Sequence, residues 1–224
     1  MLHKQSSHTI ESLKWIAIFT MVIDHIGLVL LDNNEILRAI GRIAFPLFSY
    51  ILIHNYIYYT SNKKNYIKRL LIFGVISQPF SFLTLGGLFN IFILLGIVLL
   101  VIYFIEKIQH RYYDKKYIQI ILQFYLILLG STITLFTGYG LVGYFFLLLL
   151  YLSFKSPKYY FLPLLAIILL QIDNFIYLIG VYSSIGILYL TERNPFPIVR
   201  SNKWFFYIFY PVHLYILFLL KVFI

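Results

Sequence analysis

The sequence predicts an all-α, polytopic transmembrane helix bundle of eight or nine spans with a cytoplasmic N-terminus. Three observations carry this: the composition, the spacing of apolar runs, and the placement of Lys and Arg. Of 224 residues, 61% are hydrophobic, 20% aromatic and only 12% charged, and the mean hydropathy is +0.87. Soluble domains are about 45–50% apolar and about 25% charged, so this chain has too little charge to cover a water-facing surface. At roughly 20 residues per span the chain holds at most about nine helices with short loops. It is therefore expected to form one integral-membrane domain over 1–224, with no separate soluble domain. The absence of cysteine removes disulfides, thiolate metal sites and a cysteine nucleophile.

Taken in order, the apolar runs place spans at about 13–31, 37–59, 66–86, 89–106, 117–136, 139–154, 159–172, 174–190 and 204–223. The seventh is short and could instead form a re-entrant hairpin with the eighth across Asp173-Asn174. The first run is not a cleavable signal, because Asp24-His25 lies in its outer half and no small-residue cleavage site follows. With the N-terminus inside, all of the 18 basic residues except Arg38, Arg42 and Lys221 fall on one side. Basic residues accumulate in cytoplasmic loops, and this pattern accounts for the net charge of +10 without nucleic acid.

A charge at mid-membrane costs on the order of 2.5–3.5 kcal/mol, so each one inside a span is a candidate for function. These are Asp24 and His25 in the first span, Arg42 in the second and His213 in the last, with Gln78 and Asn90 as polar companions. From the helical rise, Asp24 lies about 10 Å below the outer end of its span, Arg42 about 8 Å and His213 roughly 15 Å. The matching depths of Asp24 and Arg42 on consecutive antiparallel helices predict a salt bridge, which alone could simply fix the register of the first hairpin. A functional reading adds His25 and His213 near that level, with a carboxylate orienting an imidazole as a base. Pro46 leaves the carbonyl of Arg42 without its helical partner, predicting a kink at that residue, and Gln78-Pro79 repeats the device.

At the inner end Lys63, Lys64, Tyr66, Lys68 and Arg69 form either ordinary positive-inside patterning or a rim that holds the phosphates of a cytosolic anionic donor. The 21 tyrosines and 22 phenylalanines read as interfacial belt and lipid-facing surface. There is no GxGxxG, phosphate loop, GxSxG or HExxH pattern, which argues against soluble-type nucleotide, hydrolase or zinc chemistry, and no metal site is expected.

Six segments together resemble the TraX family: MVIDHIGLVLL at 21–31, LRAIGRIAFPLFSY at 37–50, YIKRLLIFGVISQP at 66–79, FNIFILLG at 89–96, YGLVGYFFLL at 139–148 and FYIFYPVHLYIL at 206–217. That family is known for the membrane protein that N-acetylates the F-type conjugative pilin subunit. The resemblance implies that Asp24, His25, Gly41, Arg42, Pro46, Arg69, Gln78, Asn90, Tyr139, Gly140 and His213 are family-pattern positions. It also implies an acetyltransferase with acetyl-CoA as donor. The Ile, Lys, Tyr and Asn bias suggests an AT-rich genome that need not encode an F-type pilin, so acetyl transfer is the safer inference than pilin as acceptor.

On this reading Asp24, His25, Arg42 and His213 carry catalysis. His25, oriented by Asp24, deprotonates the acceptor, Arg42 stabilises charge on the thioester oxygen, and His213 is an alternative acetyl carrier. Arg69, Lys68, Lys63, Lys64 and Tyr66 bind acetyl-CoA, and Gln78, Asn90, Tyr139 and Gly140 line the substrate pocket. The acceptor is a peptide, pilin-like or glycan amine or hydroxyl at the outer face, and the other partner is the lipid bilayer. Two other classes stay open: a proton-coupled secondary transporter, for which no internal repeat is visible, and a non-enzymatic membrane component of a conjugation or secretion system.

Overall fold

A computed structural model describes residues 3–159, 161–163, 165–166, 175–196 and 201–223. The helices are α1 (Ser7–Val29), α2 (Glu35–Gly41), α3 (Ala44–Tyr58), α4 (Lys63–Leu85), α5 (Ile91–Arg111), α6 (Lys116–Thr134), α7 (Gly140–Lys155), α8 (Phe175–Arg193) and α9 (Lys203–Phe223). A short 3-10 turn at Pro157–Tyr159 follows α7. Among the described residues the only β pairing is one isolated bridge, Phe89 to Thr137. The chain is a multi-pass integral membrane protein built as a helix bundle.

Among the described residues six helical stretches are long and apolar enough to cross a bilayer: α1, Glu35–Tyr58, α5, α6, α8 and Trp204–Phe223. The shorter apolar α7 is a seventh candidate. The 23-residue α4 has the length of a span, but Lys63, Lys64, Lys68, Arg69 and Gln78 make it too polar to count by composition. The expected span at 159–172 falls mostly outside the described residues.

The second span is two helices in sequence. α2 ends at Gly41, and α3 starts at Ala44 after a turn at Arg42 and Ile43. Pro46 dictates the break: with no N–H it cannot bond the carbonyl of Arg42 four residues earlier. At the far end of α4, Gly86 closes the helix in the left-handed conformation with φ 76°, a shape that costs glycine nothing.

Six helices close into a ring in which α1 packs on α3, α3 on α7, α7 on α5, α5 on α4, α4 on α9 and α9 back on α1. Outside the ring, α8 packs on α1, α2 and α3, while α6 lies against α5 and α7. α6 turns residues such as Ile120, Phe124 and Leu128 outward, as a helix bathed in lipid does. At the cytoplasmic end, as assigned from charge, Glu106 of α5 ties the ring together. It accepts from Tyr56 at 2.9 Å, Lys63 at 2.7 Å and Tyr151 at 2.8 Å, and Lys155 stands 3.7 Å away.

Candidate functional site

A cavity of about 610 Å³ fills the ring. Ser7, Ile10, Lys14, Ile18, Met21, His25 and Leu28 of α1 all face it, at the three- and four-residue spacing that keeps one helical face in register. Ser7 to Leu28 is about 32 Å of helix, so the cavity follows α1 over the thickness of a hydrocarbon core, about 30 Å. Its inner mouth holds Lys14, Asn55, Tyr59, Tyr66 and Arg69, and its outer chamber holds Asp24, His25, Arg38, Arg42, Asn90 and Tyr139.

His25 and His213 are both buried. His25 Nδ1 lies 2.9 Å from His213 Nε2, with the rings parallel within 6°. His213 Nδ1 lies 3.0 Å from the carbonyl of Phe209. A carbonyl only accepts, so His213 Nδ1 donates. For neutral rings His213 Nε2 then accepts from His25 Nδ1, and the lone pair of His25 sits on Nε2. His25 lines the cavity, whereas His213 stands behind it. The expected orientation of His25 by Asp24 is thus replaced by orientation through His213. Neighbouring residues on a helix point about 100° apart, and Asp24 turns to a different partner.

That partner is Arg38, not the expected Arg42. Arg38 Nη1 donates to Asp24 Oδ2 at 2.7 Å. A Cβ on Gly41 would collide with Asp24, so the missing side chain at 41 lets the carboxylate press onto α2, where Arg38 lies almost one turn earlier. Arg42 opens the turn between α2 and α3 and swings away. Its guanidinium lies over the ring of Tyr177, 4.8 Å from the centroid, and within electrostatic reach of Tyr139. Tyr139 is stacked 3.9 Å from Phe45. Arg38 is the outer-chamber residue that the sequence reading passed over. Its position one turn before Arg42 on the same hairpin was the available signal.

The basic rim at the inner end is smaller than expected. Tyr66 and Arg69 line the cavity, but Lys63 is engaged by Glu106 and Lys64 and Lys68 are exposed outside it. At this end of α4 one face, 66, 69 and 70, turns inward. Arg69 lies within electrostatic reach of Tyr207 and 5.8 Å from the Tyr66 ring centroid. The second inward cation is Lys14, held at 3.0 Å by buried Glu11 and 4.9 Å from the ring centroid of Phe206. Lys14 and Arg69 therefore approach neighbouring aromatic residues of α9 from two sides.

Gln78 and Asn90 form a clasp rather than a wall. Asn90 caps α5 through Phe92 and Ile93, donates to the Gly74 carbonyl at 2.6 Å, and meets Gln78 Oε1 twice at 3.0 Å. Gln78 donates to the Gly87 carbonyl at 3.2 Å. Asn90 also faces the cavity, while Gln78 does not. Gly140 lies off the cavity and supplies a turn with φ 50° into α7. Among the described residues no group of three or more His, Asp or Glu could hold a metal.

Residues 9–221 match the family described as TraX protein. The chain belongs to the TraX family. It is 42% identical over 72 residues to the probable fimbrial assembly protein FimC, serogroup H1, of Dichelobacter nodosus, a match covering 30% of this chain and 29% of that protein. It is 35% identical over 107 residues to an uncharacterized protein of Rickettsia prowazekii (strain Madrid E), covering 46% of this chain and 41% of the relative. The matched segments thus span less than half of either relative. No solved structure matches. The family match runs through every helix of the ring.

Proposed function

We propose that this TraX-family chain is an acetyltransferase that takes an acetyl group from cytosolic acetyl-CoA to an amine or hydroxyl acceptor at the outer face. One observation carries the reading: a single cavity joins a cationic inner mouth at Lys14 and Arg69 to a buried histidine pair in the outer half. The two cations suit the diphosphate of the donor, and the largely apolar space between the ends suits its extended pantetheine arm. The name of the Dichelobacter relative favours a pilin-like or other extracytoplasmic acceptor.

In the transfer, His25 Nε2 takes the proton of the acceptor N–H or O–H as the acceptor's electron pair bonds to the acetyl carbon. The carbon–sulfur bond breaks, and the CoA thiolate leaves with a proton returned from His25. Arg42 offers positive charge to the thioester oxygen as it becomes negative. His213, behind His25 and bonded to it, acts as its positioning residue, which makes direct attack the preferred route over an acetyl-histidine intermediate.

The test is thermal unfolding of the detergent-purified protein with acetyl-CoA, CoA and ATP, alongside acetyl-CoA consumption in membranes. A ligand at a hundred times its Kd stabilises the folded state by about 2.7 kcal/mol. Stabilisation by the CoA species, lost in Arg69→Ala, is expected. Stabilisation by none of the three would remove the donor and with it this reading.

A further inference from the structure

Three polar atoms of the outer chamber are sealed from solvent without a partner: Arg38 Nε, Asp24 Oδ1 and Arg42 Nε. The last two belong to opposite charges within electrostatic reach of each other, lining one cavity, yet they do not pair. Asp24 is held through its other oxygen by Arg38 at 2.7 Å, and its side chain is pressed against Gly41. Arg42 lies over the ring of Tyr177 and within electrostatic reach of Tyr139, neither of which neutralises it, and among the described residues no carboxylate forms an ion pair with it. A cation kept in a low-dielectric chamber without a counter-ion is costly. The removal of Arg38 would leave Asp24 its nearest remedy.

We propose that Arg38 is a positioning residue whose ion pair keeps Asp24 away from Arg42, so that the Arg42 guanidinium stays open as a binding point for an anionic oxygen in the outer chamber. The ligand class is a small oxyanion: a carboxylate or phosphate oxygen of a bound molecule or, under the acetyltransferase reading on which this second form rests, the developing thioester oxyanion. The arrangement makes the effect of Arg38 indirect and reversible. Its loss closes the binding point by letting Asp24 swing across, and removal of the Asp24 charge as well reopens it.

Phenylglyoxal reads this without reference to activity, because it modifies a guanidine group that is accessible and not engaged by a carboxylate. Mass spectrometry of the purified protein then reports each arginine separately. In the unmutated protein Arg42 is expected to be modified and Arg38 protected, and benzoate, a carboxylate probe, is expected to slow modification of Arg42. In Arg38→Leu, modification of Arg42 is expected to fall about tenfold, as contact with a carboxylate favours the unreactive charged form. Arg38→Lys, which can still hold Asp24, keeps it high, and Arg38→Leu with Asp24→Asn restores it. A thermal-unfolding midpoint in detergent close to that of the unmutated protein confirms that each variant is folded. An unreactive Arg42 in the unmutated protein, or an Arg38→Leu variant in which its modification is unchanged, overturns the proposal. Turnover is the second readout: Arg38→Leu lowers kcat with KM for acetyl-CoA unchanged, and the double variant recovers it. If the unmutated protein turns over no acetyl-CoA, the acetyltransferase reading falls while the labelling still decides the role of Arg38.

Discussion

His25 and His213 are separated by 188 residues of chain, yet they form one hydrogen-bonded pair in which only His25 meets the cavity. His25→Ala removes the base and is expected to lower kcat by about 10²–10⁴, the usual contribution of a positioned general base. Acetyl-CoA binding stays intact because Lys14 and Arg69 lie at the other end. His213→Phe leaves His25 Nδ1 without its acceptor and releases the tautomer. A lost buried partner costs about 1–3 kcal/mol, so a further prediction is a fall in kcat of about ten- to a hundredfold, with partial recovery in His213→Gln, whose amide oxygen can accept. Equal activity of the Phe variant and the unmutated protein would take the positioning role from His213. The ionisable residues themselves were legible in the sequence because polar groups inside apolar runs stand out. Their partners were not. Counting depth along a helix places Asp24 opposite the Arg38–Arg42 turn but cannot choose between two arginines one turn apart, and no local spacing pairs residue 25 with residue 213.

At the scale of elements, the chamber depends on an interruption. If α2 and α3 ran as one straight helix, Arg38 and Arg42 would share a face, and both would approach Asp24. The turn at Arg42 and Ile43, set by Pro46, directs one to the carboxylate and the other to the tyrosines. This break was readable from Pro46 because its cause is local, a missing backbone donor. The packing of α8 was not readable. Gly180 of α8 rests on the Ala39 carbonyl, where a Cβ would overlap backbone that cannot give way. Gly180→Ala is therefore predicted to push α8 off α2, to draw Tyr177 from Arg42, and to destabilise by about 1–3 kcal/mol, as overpacking commonly does. Thermal unfolding in detergent measures it, and an unchanged midpoint would mean that α8 can shift without cost. Apolar runs locate α1, α4, α5 and α6 well, although α4 carries a polar face that serves the cavity and the Glu106 cluster.

At the scale of the molecule, the ring of six helices places a cavity along the whole of α1, and the charge pattern assigns its two ends to opposite sides of the membrane. Under the proposed acetyltransferase function, donor and acceptor would enter from different compartments and meet at His25. This geometry makes a prediction that depends on neither catalysis nor a known acceptor. The chain has no cysteine, so single cysteines report access without background. Thr60 lines the inner mouth and Gly138 the outer one, and a Cβ at Gly138 meets nothing within 4 Å. With the N-terminus inside, a membrane-impermeant maleimide applied to intact cells is expected to label Gly138→Cys and spare Thr60→Cys, and inverted vesicles are expected to give the reverse. Acetyl-CoA added to inverted vesicles should protect Thr60→Cys, because the donor would occupy that mouth, and leave the outer position unaffected from its own side. Labelling of both positions from one side would contradict the two-sided arrangement, and labelling of Thr60→Cys from intact cells would invert the topology drawn from the basic residues.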